Sequence, residues 1–254
     1  MRAPRLLYRL YAKRLQRKLV PDLLPRHVAV AMDGNRRWAR SRGFADAGIG
    51  HRYGAEHLDD LLGWCAPIGI DHVTVYVASV DNLRKRDGGE VAHLMEMIEA
   101  IIADRLMLPG NRWRLHIAGQ LDHLPDSTAE ALKAAVDATA GRDGGHLTIA
   151  IGYDGQTEIV DAVRTLLEQE AAQGGTIDGL AERLTAADIG AHRYTPELPA
   201  ADLIIRTSGE RRLSSFLLWQ SAGAELYFCD VYWPGFRHVD FLRALRDYAR
   251  RRAR

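Results

Sequence analysis

The run Met32-Asp33-Gly34-Asn35-Arg36-Arg37-Trp38-Ala39-Arg40 holds the densest chemistry of the chain. It follows directly on His27-Val28-Ala29-Val30-Ala31, a short apolar stretch that stops at Asp-Gly-Asn. Such a stretch reads as a buried strand ending in a tight turn, with an arginine-rich helix opening behind it. One carboxylate, one flexible glycine and several guanidinium groups thus gather at the carboxyl end of a strand, where open α/β sheets bind ligands. A helix amino terminus beside guanidinium groups favours an anion with several oxygens, such as a phosphate or diphosphate. Asp33 fits poorly with a bare anion unless a divalent cation joins the two. The segment therefore suits a metal-bound diphosphate. The plainer alternative is a solvated, arginine-rich turn in which Asp33 caps the helix.

Two further clusters come after other strand-like runs. Behind His72-Val73-Thr74-Val75-Tyr76-Val77-Ala78-Ser79 stands Val80-Asp81-Asn82-Leu83-Arg84-Lys85-Arg86-Asp87-Gly88-Gly89-Glu90. Asn82 can donate and accept hydrogen bonds at once, and the three bases can meet phosphate oxygens. The bland reading of this charge run is a solvated loop. Behind Asp202-Leu203-Ile204-Ile205 stands Arg206-Thr207-Ser208-Gly209-Glu210-Arg211-Arg212-Leu213-Ser214, a strand ending in Arg, a glycine turn and an expected helix from about Ser214. A guanidinium, hydroxyls and helix amides converging there suit a second diphosphate. Glu225 heads the last strand-like run and reads either as a second metal contact or as a loop acid.

The elements that must position these clusters alternate. Strands are expected at about 27–32, 72–79, 112–118, 146–152, 202–206 and 225–229. Helices are expected at about 47–65, 89–106, 127–140, 156–173 and 237–252, with a shorter one near 213–222. Asp126-Ser127 offers a capping residue ahead of the stripe Ala129, Leu132, Ala135 and Val136. Alternation at this spacing implies βαβ units and an α/β domain whose central sheet, of about six strands and mostly parallel, is flanked by helices. Gly141–Gly145 and Gly174-Gly175 are loop-sized rather than linkers, so residues 25–254 read as a single domain.

The chain has 254 residues, 47% of them hydrophobic, which is ample for a buried core. Its 34 Lys and Arg nearly cancel its 33 Asp and Glu, so average charge does not argue for nucleic acid, and no reader motif does either. Two cysteines, Cys65 and Cys229, make neither a disulfide framework nor a zinc spacing, which points to a reducing cytoplasm. Nowhere do about 18 apolar residues run together. Residues 1–24 form a distinct leader: Leu6, Leu7, Leu10, Leu15 and Leu19 alternate with bases at helical spacing. That is a basic amphipathic helix, which either lies on the anionic inner face of a membrane or packs its leucines on the protein or on a partner.

Taken together, several motifs resemble the cis-prenyltransferase family, the Z-isoprenyl or undecaprenyl diphosphate synthases, over roughly residues 25–250. They are Met32-Asp33-Gly34-Asn35, Arg37-Trp38-Ala39, Ser79 with Asn82, and Arg206-Thr207-Ser208-Gly209-Glu210 with Arg212-Leu213-Ser214. Phe216-Leu217-Leu218-Trp219-Gln220 and Glu225-Leu226-Tyr227-Phe228 complete the set. The resemblance is strongest to the short-chain branch that makes (2Z,6E)-farnesyl diphosphate. It implies a homodimer, Mg2+, a tunnel for the prenyl chain, and the condensation of isopentenyl diphosphate with an allylic diphosphate such as geranyl diphosphate. By position it makes Asp33 the essential carboxylate beside the metal, with Glu225 as a second metal contact. Gly34, Asn35, Arg36, Arg37, Trp38 and His51 hold the allylic diphosphate; Arg206, Arg212 and Ser214 hold isopentenyl diphosphate. Asn82 sits at the reacting carbons, where a proton leaves to a diphosphate oxygen or through Asn82 and Asp33. Val77 stands where long-chain members commonly carry Ala, and is read either as a bulkier tunnel wall that shortens the product or as ordinary strand core.

The chain departs from the family pattern in places. Arg36 replaces the second glycine of the usual Asp-Gly-Asn-Gly-Arg-Trp, and an Arg common shortly before the His51 position has no counterpart in Phe44–Gly50. The usual aromatic-Ser-x-Glu-Asn-Trp is Ala78-Ser79-Val80-Asp81-Asn82-Leu83, and Asn-Tyr-Gly-Gly-Arg is Gly152-Tyr153-Asp154-Gly155-Gln156. Two other readings stay open: a decaprenyl or undecaprenyl synthase, and a non-catalytic membrane-associated partner subunit. Partners of that kind lose the Asp-Gly-Asn and Arg-x-Ser elements that this chain keeps.

Overall fold

The computed structural model describes residues 5–46, 48–85 and 88–253, with the side chains of Arg5 and Leu6 left aside. Residues 1–4 of the leader, Ala47 of the expected helix 47–65, and Arg86 and Asp87 of the second charged cluster lie outside the described residues. Six strands form: β1 His27–Ala31, β2 His72–Ser79, β3 Trp113–Ala118, β4 Gly145–Tyr153, β5 Leu203–Arg206 and β6 Glu225–Phe228. They make one sheet in the order β3-β4-β2-β1-β5-β6, and every pairing is parallel. A parallel sheet needs cover on both faces, and β1 obliges with five buried residues in a row. Val28 and Val30 point into the larger core, whereas Ala29 and Ala31 face the smaller one against Phe216 and Leu217.

The connections decide where a ligand can enter. The chain leaves β1 toward β2 on one side and leaves β5 toward β6 on the other, although β1 and β5 are neighbours. At such a switch point the loops beyond two adjacent strands part and leave a crevice at their carboxyl ends. Here those loops are the Asp33 turn and the Arg206 segment.

Ten α-helices cover the sheet among the described residues: α1 Arg5–Gln16, α2 Asn35–Ser41, α3 Gly48–Cys65, α4 Val80–Lys85, α5 Gly88–Ile101, α6 Asp126–Thr139, α7 Gly155–Ala172, α8 Ile177–Arg183, α9 Ala186–Gly190 and α10 His238–Arg252. The stripe Leu58, Leu61, Leu62 and Cys65 seats α3 on the larger core. A π turn, Ile102–Leu106, prolongs α5 and buries Ile102 and Leu106.

Three expectations need correction. No helix forms over 213–222; the segment is a chain of turns with Ser214, Ser215 and Leu217 at φ 49°, 61° and 49°. Left-handed backbone is incompatible with a right-handed helix, so no helix amides are offered there. The supposed loop after β2 instead winds into α4, and Ser79 Oγ accepts from Asn82 N–H at 2.9 Å. Neither Asp126 nor Ser127 caps α6: Pro125 takes the cap position, and the Ser127 and Thr128 hydroxyls donate to Glu99 at 3.0 and 2.6 Å.

The leader helix α1 packs on α10. Ala12 and Leu15 are buried, and Val239 N–H donates to the Tyr8 hydroxyl at 3.4 Å. Leu7 and Leu10 stay more than half exposed, at 58% and 56%. No helix of the described residues is long and apolar enough to cross a membrane.

Candidate active site

Asp33 and Arg206 meet at the switch point. Gly34 has φ 100°, which a residue with a side chain rarely adopts, and a Cβ there would also lie 2.7 Å from the Tyr232 ring. The turn then hands the chain to α2 with Gly34 at the cap position and no side-chain cap, so Asp33 is free for other work. Its Oδ2 lies 2.7 Å from Arg206 Nη2, and the Arg206 side chain is 8% exposed against 41% for Asp33. This removes the plainer reading of Asp33 as a helix cap.

Arg206 organises the segment behind it. One of its nitrogens donates to the Arg212 carbonyl and to Ser214 Oγ, the latter at 3.0 Å. Thr207 Oγ1 donates to the Asp33 carbonyl at 2.8 Å, which ties the two loops together. Arg37 crosses from α2 to donate to Ser208 Oγ at 2.6 Å, and its guanidinium lies over the Tyr232 ring. Cationic residues from both loops therefore flank Asp33.

Asp33, Arg37, Arg206, Arg212 and Ser214 line a cavity of about 820 Å³ together with Asn35, Arg36, Arg40, His51, Asn82 and Ser79. Arg36 and His51 both approach the Glu90 carboxylate, at 3.6 and 3.5 Å, across α2, α3 and α5. Asp154 also faces the cavity, but its Oδ1 accepts from Gln156 and Thr157 N–H, both at 3.0 Å, and caps α7. Tyr76 lines the wall as well; burial pushes its phenol up to about 12, so it keeps its proton and cannot serve as a base near neutrality. From Met32, Tyr76 and Val77 the cavity passes into an apolar arm between α3, α5 and the sheet. Leu58, Leu94, Ile98, Ile101, Ile102 and Ile149 wall the arm, which holds about 70 Å³.

Most residues singled out in the sequence converge on this cavity, and two do not. Trp38 lies behind it, against Phe44 and Tyr53 with ring centroids 6.1 and 5.0 Å away. Glu225 pairs in register with Leu203 at the amino end of the sheet and meets Arg251 at 3.1 Å. Asp33 follows the carboxyl end of β1, so one chain does not bring these two carboxylates together. Arg40, Ser208, Tyr76 and Asp154 were not singled out for the site. Arg40 is the third arginine of the α2 run and comes four residues after Arg36, on the same helix face, so its place was open to helical spacing. The other three owe theirs to strand register and to a left-handed Ser208 at φ 76°.

Residues 31–254 match the prenyltransferase family described as "Putative undecaprenyl diphosphate synthase". The chain belongs to this family. It is 55% identical to an isoprenyl transferase of Streptomyces fradiae over 100% of this chain and 99% of that one. It is 47% identical to a (2Z,6E)-farnesyl diphosphate synthase of Mycobacterium tuberculosis over 96% and 94% of the two chains. Among solved structures it resembles the lavandulyl diphosphate synthase of Lavandula x intermedia in complex with dimethylallyl diphosphate. The TM-score is 0.83 and the identity 29%, over 90% of this chain and 96% of that one. As a member of the prenyltransferase family the chain is a transferase, and its α/β sheet with flanking helices is the family architecture.

The carboxylate inventory bears on the metal. No cluster of three His, Cys, Asp or Glu able to hold an ion occurs among the described residues. Mg2+ keeps several waters and binds through one or two carboxylates plus substrate phosphates rather than a protein cage. Asp33, partly exposed in a cavity rich in guanidinium groups, fits this pattern.

Proposed function

We propose that this protein condenses isopentenyl diphosphate with a short allylic diphosphate, geranyl diphosphate, to give (2Z,6E)-farnesyl diphosphate and free diphosphate. The observation that carries the reading is the polar cavity with its two cationic loops around Asp33, opening into a narrow apolar arm. Gly34, Asn35, Arg36, Arg37 and His51 hold the allylic diphosphate, with Trp38 bracing α2 from behind. Arg206, Arg212 and Ser214 hold isopentenyl diphosphate. Asp33 and Arg206 neutralise each other at 2.7 Å, and a metal-bound diphosphate offers each a new opposite charge. Asp33 would hold the Mg2+ and Arg206 the phosphate oxygens, so neither charge would be left stranded.

Breaking the allylic C–O bond places negative charge on the leaving diphosphate and positive charge on carbon. The guanidinium groups lining the cavity stabilise the first, and each such contact contributes ~3 kcal/mol to lowering the barrier. Mg2+, when bound, neutralises diphosphate charge in the same place. The apolar arm keeps water from the carbocation-like centre. Asn82, on α4 at the cavity wall, orients the carbon that loses its proton, and a diphosphate oxygen or Asp33 receives it.

Product length is set by room. The apolar arm holds about 70 Å³, so α3 or α5 must give way for a prenyl tail to enter, and the wall that resists limits its length. The narrow arm and the similarity to (2Z,6E)-farnesyl diphosphate synthases favour a C15 product, with Val77 at the junction of cavity and arm as a part of the limit. Since Glu225 faces away from Asp33 within one chain, it serves a metal only from a second copy, which accords with a homodimer. The exposed Leu7 and Leu10 of α1, set among Arg9, Lys13, Arg14 and Arg17, fit a peripheral contact of a cytoplasmic enzyme with an anionic membrane face.

The test is a product assay with Mg2+, labelled isopentenyl diphosphate and geranyl diphosphate, resolving the dephosphorylated alcohols by length. A single C15 alcohol with a new cis bond is expected. A ladder beyond C30 would keep the chemistry and reject the tunnel argument. No product from geranyl, dimethylallyl or farnesyl diphosphate would reject catalysis by this chain alone.

A further inference from the structure

The turn that carries Ser214 is held from beneath by a carboxylate that touches no part of the cavity. Glu158 lies in the first turn of α7 and is fully buried. Each of its hydrogen-bond partners donates: the Tyr153 hydroxyl at 2.6 Å, Gln220 Nε2 at 3.0 Å to both oxygens, and Tyr194 N–H at 3.3 Å. A buried carboxylate with no cation among these partners is tolerated only when donors surround it. Burial, and then the Glu158 charge, push the Tyr153 phenol well above its ordinary range, so it stays a donor.

Gln220 closes the irregular segment that begins at Ser214. Three non-glycine residues there, Ser214, Ser215 and Leu217, hold positive φ, a conformation that lasts where the surroundings over-determine it. The surroundings come largely from the junction of β4 and α7. Gly155 N–H donates to the Ser215 carbonyl at 2.9 Å, and the Tyr153 ring meets Phe216 edge-on with centroids 6.4 Å apart. The Gln220 carbonyl accepts from Ala201 N–H at 3.2 Å, which anchors the far end of the segment beside β5. At the near end, Ser214 Oγ and the Arg212 carbonyl are the acceptors that fix the Arg206 guanidinium.

We infer that Glu158 is a positioning residue for the isopentenyl-diphosphate cradle: through Gln220 it fixes the left-handed turn that aims Ser214 and Arg206. The inference rests on the proposed role of Arg206, Arg212 and Ser214 as that cradle. It also explains why a carboxylate rather than an amide stands at this position. Glu158→Gln would turn an NH2 group toward a donor and leave a buried polar group unpaired.

Steady-state kinetics on the full chain test it, with Mg2+, isopentenyl diphosphate and geranyl diphosphate varied in turn. Glu158→Gln is expected to raise KM for isopentenyl diphosphate about tenfold or more while KM for geranyl diphosphate stays within about twofold. The swap Glu158→Gln with Gln220→Glu restores a donor facing an acceptor and is expected to recover most of the loss. A merely structural residue would move both KM values together, or neither, and would not be rescued by the swap; either result overturns the inference. Should Glu158→Gln fail to fold, Gln220→Met removes the same contact at similar volume and carries the same expectation. A native protein that makes no product from these substrates overturns the underlying reading as well. Normal turnover with an unselective variant overturns the positioning role alone.

Discussion

In the proposed reaction Asp33 is the residue on which the chemistry turns. It is partly exposed, paired with a buried guanidinium at 2.7 Å, and positioned by a glycine that must hold φ 100°. Asp33→Ala is expected to lower kcat by about 10²–10³ in the product assay, the range for losing one preorganised electrostatic contact. The folded state should survive, because the turn rests on Gly34 and on the Thr207 bond to the Asp33 backbone carbonyl. A near-native kcat would exclude the metal-carboxylate role. Arg206→Lys should be almost as harmful: a point charge cannot serve Asp33, the Arg212 carbonyl and Ser214 Oγ with one planar fork.

At the scale of elements, the proposed function makes the arm between α3, α5 and β2 the limit on product length. Val77→Ala is expected to lengthen part of the product beyond C15, and Val77→Phe to suppress elongation of geranyl diphosphate, both read as alcohol length. Unchanged products in both variants would make Val77 ordinary strand core. The leader calls for a finer test than deletion. Because Ala12 and Leu15 are buried on α10, removing α1 would strip cover from the core as well as any membrane contact. Leu7→Ser with Leu10→Ser alters only exposed side chains, so it should reduce sedimentation with anionic vesicles while leaving Tm within a few degrees. Sedimentation equal to that of the native protein would assign α1 to packing alone.

Across the whole molecule, a row of imidazoles joins four strands at the end of the sheet away from the cavity. His27, His72 and His146 pair in register on β1, β2 and β4, and His116 Nε2 meets His146 Nδ1 at 2.9 Å. Burial is the first cause that lowers His27, His116 and His146 below the usual 6.5. The folded chain thus keeps neutral what the unfolded chain protonates, so stability is full above about pH 6.5 and falls as pH drops below it. Thermal unfolding from pH 8 to 5 should show that decline above the carboxylate range. His146→Phe, which keeps a ring stacked on His72 but cannot titrate, should flatten it. A Tm constant over this range would contradict the lowered values.

The sequence by itself determined the strand positions, the α/β class and the cation-rich turn after β1, because these depend on local patterns: β-branched runs, glycine at a forced turn, charge next to charge. Its motifs also carried the family resemblance, since they sit in order along the chain. Only the tertiary structure decided that the Asp33 and Arg206 loops meet, because strand order places β5 beside β1 across 171 intervening residues of register-dependent packing. The left-handed path from Ser214 to Leu217 was equally hidden, since serine and leucine seldom adopt positive φ and do so here under the hold of Gly155, Tyr153, Glu158 and Gln220. Glu225 shows the same limit from the other side. Its motif pointed to a metal, but parallel register sets it at the amino end of the sheet, and sequence spacing contains no measure of which end a residue reaches.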